Sequence, residues 1–162
     1  MMVFGVGITS SDVRDLAGRA TGSRTVRAPG VRKALVVSGD SSLRSRFEAV
    51  SELSGWSSCD TPEAVSDVDV AIDGDYQLVV VDIAHPLGDR VNDSIEVAEE
   101  FAGRHGTLLV ICGSEDSAEE ELWARQLGAW VYLPGVAGGD AIVSLFAEAK
   151  QLSERRGAWE YV

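Results

Sequence analysis

Leu78-Val79-Val80-Val81-Asp82-Ile83-Ala84-His85-Pro86 runs a β-branched stretch into a single carboxylate and then to a proline. A short unbroken apolar run of this kind reads as a strand buried on both faces, as in a parallel sheet covered by helices. Asp82 closes the run and falls at the strand's C-terminal edge, where open α/β sheets place their ligands and chemistry. The same residue type also suits a turn or a helix cap. This stretch alone leaves both readings open.

Working outward, the chain repeats a strand–turn–helix pattern. Residues 34–37 read as another buried strand, closed by Ser38-Gly39-Asp40. The next helix is capped by Asp40 or Ser41, shows Leu43, Phe47, Val50 and Leu53 on one face, and stops before Gly55. Residues 56–59 make a shorter, more polar strand suited to a sheet edge. Thr61-Pro62-Glu63 opens a helix carrying Val65, Val68 and Ile72. Beyond Asp82, a helix from about Asp93 turns Ile95, Ala98, Phe101 and Ala102 inward, and residues 107–112 form a further buried strand. Ser117 caps a helix with Glu119, Glu120 and Glu121 in its first turn, Leu122, Trp123 and Leu127 inward and Gly128 at its end. Residues 130–133 are the last strand. Ile142, Leu145, Phe146, Ala149 and Leu152 mark the final helix, with Arg155 and Arg156 near its C-terminal end.

Five such βα units with short right-handed crossovers make a three-layer α/β/α sandwich around a five-stranded parallel sheet of order 2-1-3-4-5, a flavodoxin-like arrangement. Asp40 and Asp82 then flank the switch point between strands 1 and 3. That placement tips Asp82 towards a functional reading.

The chain's 162 residues fit one domain with an extra arm. Residues 1–32, with linker-like Thr21-Gly22-Ser23-Arg24-Thr25 and Ala28-Pro29-Gly30, form the arm, in which residues 10–20 suit a short helix. The domain spans residues 33–156, and residues 157–162 are a tail. Residues 1–33 hold six basic side chains and two acidic ones, which leaves the remainder at −16 within a total of −12. A body that acidic repels nucleic-acid phosphates. No apolar run is long enough to span a membrane, and the start lacks a secretory pattern, so a cytoplasmic location is expected. Cys59 and Cys112 are far apart, lack metal-ligand spacing, and read as buried free thiols.

Residues 33 to about 155 resemble the receiver domain of bacterial two-component response regulators. Leu35-Val36-Val37 with Ser38-Gly39-Asp40 is similar to the family's first strand and acidic turn. Val80-Val81-Asp82-Ile83-Ala84-His85-Pro86 is similar to its phosphoacceptor strand, with the proline four residues beyond the aspartate. Gly128-Ala129 and Tyr132-Leu133 are similar to the approach to its last strand. The resemblance implies that Asp82 is the phosphoacceptor, the residue that takes a phosphoryl group from a histidine kinase. It also implies an acidic pair holding Mg²⁺, but Ser38 and Gly39 stand in those places and only Asp40, the next residue, is acidic. The family's Ser or Thr after strand 4 is Cys112 here, and its lysine after strand 5 is Gly135. Asp40 and Asp82 are left as weak metal ligands. Phosphoryl transfer depends on charge neutralisation, so the departures imply a degenerate receiver.

The resulting expectation is a signalling module that is not an enzyme and carries no cofactor, with Mg²⁺ at most weakly held. It acts by binding a protein, either a histidine kinase or an output protein. Trp123, Trp130 and Tyr132 are its interface residues on the helix 4–strand 5–helix 5 face, which receivers also use for homodimers. The rival is an active receiver phosphorylated on Asp82 with Mg²⁺. A third reading, a small-ligand binder at the switch point, lacks the Ser/Thr-rich loop a flavin phosphate needs. His85 reads as a loop histidine, and His105 as a helix-end residue.

Overall fold

The computed structural model describes residues 31–135 and 139–160, with side chains as far as Arg156. The elements are β1 (Lys33–Val37), α1 (Ser41–Leu53), β2 (Ser58–Asp60), α2 (Val65–Ala71), β3 (Leu78–Asp82), α3 (Val91–Ala102), β4 (Leu108–Gly113), α4 (Ala118–Leu127), β5 (Val131–Pro134) and α5 (Gly139–Glu160). The five strands are parallel and ordered β2-β1-β3-β4-β5. The order read from the sequence is the one observed. The readings made for residues 1–30 lie outside the described residues.

Strand periodicity divides the core into two halves. Ala34, Val36, Leu78, Val80, Leu108 and Val110 face one cluster, filled from α1 and α5 by Phe47, Ile142 and Phe146. Their neighbours Leu35, Val37, Val79, Val81, Leu109 and Ile111 face the other, filled by Val68, Val97, Phe101 and Ala124. Side chains two apart share a face, so both faces need apolar residues and the central strands read as continuous apolar runs. Phe146 is the hub of the first half. Its ring lies 5.9 Å from Phe47 and 5.3 Å from Trp56, both edge-on.

The structure corrects several boundaries and faces. Trp56 lies before β2, which starts at Ser58, and is packed into the core at 6% exposure. Thr61-Pro62-Glu63 is loop, and α2 begins only at Val65. The buried stripe on α1 runs Leu43, Phe47, Ser51, at i, i+4 and i+8, and rotates away from Leu53, which is 86% exposed. On α4 the buried position is Ala124. Leu122, about 200° further round at 100° per residue, is exposed instead of inward. The last helix continues past Arg156 to Glu160, so residues 157–160 extend it instead of forming a tail. No helix among the described residues is long and apolar enough to cross a membrane.

Truncating the hub should show where the stability lies. Phe146→Ala is expected to cost about 3–5 kcal/mol, and Leu53→Ala to change stability by less than about 0.5 kcal/mol. Urea denaturation of the two variants with an unchanged slope checks both.

Candidate functional site

β1, β3 and β4 lie side by side, with Val37 opposite Val81 and Asp82 opposite Cys112. Ser38 follows β1 directly. Ser38, Asp82 and Cys112 therefore continue the same side of the sheet and meet at its C-terminal edge.

Asp82 is 1% exposed. A buried carboxylate is costly unless donors replace water, and here they do. Its Oδ1 accepts from the Ala84 backbone N–H at 3.1 Å and from that of His85 at 3.0 Å. Its Oδ2 accepts from the Ser38 hydroxyl at 2.7 Å, and His85 Nδ1 lies 3.4 Å from it. A carboxylate offers about four lone-pair directions; three hydrogen-bond donors take up three of them, and the His85 ring stands beside Oδ2. The Ser38 hydroxyl is held from a second side, because its oxygen accepts from the Asp40 backbone N–H at 3.0 Å.

Asp40 is turned to a different task. Its Oδ1 caps α1, accepting from the backbone N–H groups of Ser42 at 2.9 Å and Leu43 at 3.3 Å. Gly39 N–H donates to the His85 carbonyl at 2.7 Å. A Cβ on Gly39 would stand 2.5 Å from the Pro86 carbonyl oxygen. The missing side chain thus lets the loop after β3 close against the turn after β1. In this arrangement an acidic side chain at Gly39 has no room.

Mg²⁺ is usually held by one or two carboxylates with waters and phosphate oxygens around it. The groups present do not fit it. Both Asp82 oxygens already accept hydrogen bonds, Asp40 caps a helix through Oδ1, and Gly39 has no side-chain ligand to give. Among the described residues, no three His, Cys, Asp or Glu side chains are grouped to hold a metal ion.

Gly135, where the resemblance calls for a lysine, has a φ of +75° and donates its N–H to the Gly113 carbonyl at 2.8 Å. Its neighbour is an acid, with Glu115 Cβ 3.5 Å from the place of a Cβ. Sequence reasoning overlooked a cation nearby. Arg44, one turn into α1, donates to the Ser38 carbonyl at 2.7 Å. Helical side chains lean towards the N-terminus, and that rule would have aimed Arg44 back at this turn.

Burial and the adjacent Asp82 carboxylate push the Cys112 thiol far above its usual range. Burial chiefly pushes the Cys59 thiol up to about 12. Trp130 and Trp123 are both half-buried and pack on opposite halves of the core. The Tyr132 hydroxyl reaches the Ser114 carbonyl at 3.1 Å and Glu120 Oε2 at 3.3 Å. Partial burial and the Glu120 carboxylate push it up to about 12. His85 is half-exposed against Asp82, and His105 is exposed beyond the end of α3.

No family model matches the sequence, and no curated protein matches it. Solved structures do match. A CheY-like receiver domain protein of Methanospirillum hungatei has a TM-score of 0.64 at 16% identity, over 78% of this chain and 98% of that one. An orphan response regulator of H. pylori has 0.59 at 21%, over 76% and 98%. The chemotaxis response regulator CheY4 of Vibrio cholerae has 0.59 at 15%, over 74% and 98%. The chain has the CheY-like receiver fold; at these identities the likeness is one of fold.

Ser38→Ala removes one donor from a buried carboxylate and is expected to destabilise the domain by about 1–3 kcal/mol, read as a lower urea midpoint. Neither Cys59 nor Cys112 should react with a disulfide reagent at pH 8 in the folded protein, because both thiols stay protonated there. Both should react once urea unfolds the chain, and an absorbance titration distinguishes the two outcomes.

Proposed function

We propose that this chain is a receiver-fold signalling module that works by binding a protein partner, and that Asp82 does not carry a phosphoryl group. One observation carries the reading. The carboxylate in the phosphoacceptor place is 1% exposed, with donors on both oxygens. An aspartate that attacks phosphorus needs a free, accessible oxygen and nearby positive charge to offset the phosphoryl oxygens. Here the lysine place is Gly135 beside Glu115, and Arg44 is held by a backbone carbonyl. The net charge of −12 makes a further dianion less welcome.

The partner, a histidine kinase or an output protein, or a second copy of the chain, meets the face formed by α4, β5 and α5. Leu122 on α4 is 57% exposed and Val143 on α5 is 49% exposed, and Trp130 and Tyr132, beside and on the edge strand β5, are half-buried. Half-buried aromatics framed by exposed aliphatics suit the centre of a contact.

Incubation with acetyl phosphate and Mg²⁺, followed by intact mass measurement, is expected to give no acid-labile phosphoryl adduct. An adduct lost in Asp82→Asn would instead establish the active receiver. Leu122→Glu is expected to abolish self-association or partner pull-down while leaving the thermal melt unchanged.

A further inference from the structure

Beside the loop that closes over Asp82, α2 and α3 part around a cavity of about 350 Å³. Val37, Val68, Leu87 and Val97 form its apolar interior, and Val65 and Ile72 complete the wall. The volume lies within the range of about 300–1,000 Å³ typical of small-molecule sites. Neither of the uses already described, the Asp82 edge or the α4–β5–α5 face, involves this space.

Its rim has one sign of charge. Asp69 stands on α2, and Asp93, Glu96 and Glu100 stand on α3; among the described residues no lysine or arginine lines the cavity. Arg104 pairs with Glu100 at 3.3 Å, but it also donates to the Gly74 carbonyl and lies over the Phe101 ring. That leaves Asp69, Asp93 and Glu96 beside a space with no cation among the described residues of its lining. Like charges gathered around a low-dielectric cleft focus a field that attracts the opposite sign.

A second feature is independent of the charge. Ser94, in the cavity wall, is 2% exposed, and its hydroxyl has no hydrogen-bond partner among the described residues. Buried hydroxyls are normally paired, and an unpaired one calls for a partner. An ammonium group brings three donors, enough for the carboxylates of the rim, with the Ser94 oxygen within the wall behind it and open to a ligand only if that wall shifts.

We propose that the cavity between α2 and α3 binds a small organic cation, an amine whose apolar body fills the space and whose ammonium meets the acidic rim. A neutral ligand would leave the rim unmatched, and an anion would be repelled by it.

The test is methyl-resolved NMR of the full chain titrated with phenethylamine, phenethyl alcohol and phenylacetate. Phenethylamine is expected to give saturable shifts at the methyls of Val68, Leu87 and Val97. The alcohol should bind about tenfold more weakly, as one charge-assisted contact is lost, and phenylacetate should give no saturable shift. Asp69→Lys combined with Glu96→Lys changes two exposed side chains and should reduce the amine to the affinity of the alcohol. Val68→Phe, which fills the cavity, should abolish binding of both. The proposal is overturned if phenethylamine causes no saturable shift, binds no tighter than the alcohol, or is indifferent to the double charge reversal.

Discussion

Asp82 sits at the end of the most deeply buried strand, and a lone ion there would be costly. Three donors, the Ser38 hydroxyl and the backbone N–H groups of Ala84 and His85, make it tolerable. Two of them come from the loop after β3, so that loop must fold back over the strand end. It can do so only because the facing turn offers Gly39, where any Cβ would meet the Pro86 carbonyl. The buried charge, the close-packed loop and the glycine are thus parts of a single arrangement.

The parallel sheet supplies the frame in which these groups meet. Pairing of Val37 with Val81 and of Asp82 with Cys112 aligns the ends of three strands, and the two-residue period turns Ser38, Asp82 and Cys112 to the same side. A slip of one residue in β1 would carry Ser38 to the other face and leave Asp82 without its hydroxyl donor. The two halves of the core resist that slip, since each requires its own alternate set of β1 and β3 side chains.

Much of this was legible in the sequence, because the strongest signals were the ones that matter most. The runs ending at Val37, Asp82 and Cys112 could be placed from their β-branched residues, and strand order followed from the doubly wound arrangement of five βα units. Helix faces were less legible where the stripe is narrow. Ser51 is buried and Leu53 is not, because geometry selects position before polarity does. The α2 start was missed because Pro62 is favoured in turns as well as at helix starts. At the site, residue identities marked where the resemblance expects other groups but not what the residues present do there. That Ser38 plugs Asp82, and that Arg44 reaches back to the Ser38 carbonyl, depends on loop closure that no local pattern encodes.

The four places where the resemblance calls for other residues are therefore not vacancies. Ser38 is a donor to the buried carboxylate, Gly39 admits the loop, and Cys112 fills core space at 3% exposure. Gly135 makes a left-handed turn bonded to Gly113. At two of these positions the residue the resemblance calls for would be strained: an acid at Gly39 collides with Pro86, and a lysine at Gly135 must take a positive φ. Effects at residues in contact do not add independently. Ser38 and Gly39 act on the same loop and the same carboxylate, so replacing one alone removes a support without creating a metal site. The physical unit is the closed loop over Asp82, and the chemistry of this edge changes only if that loop opens.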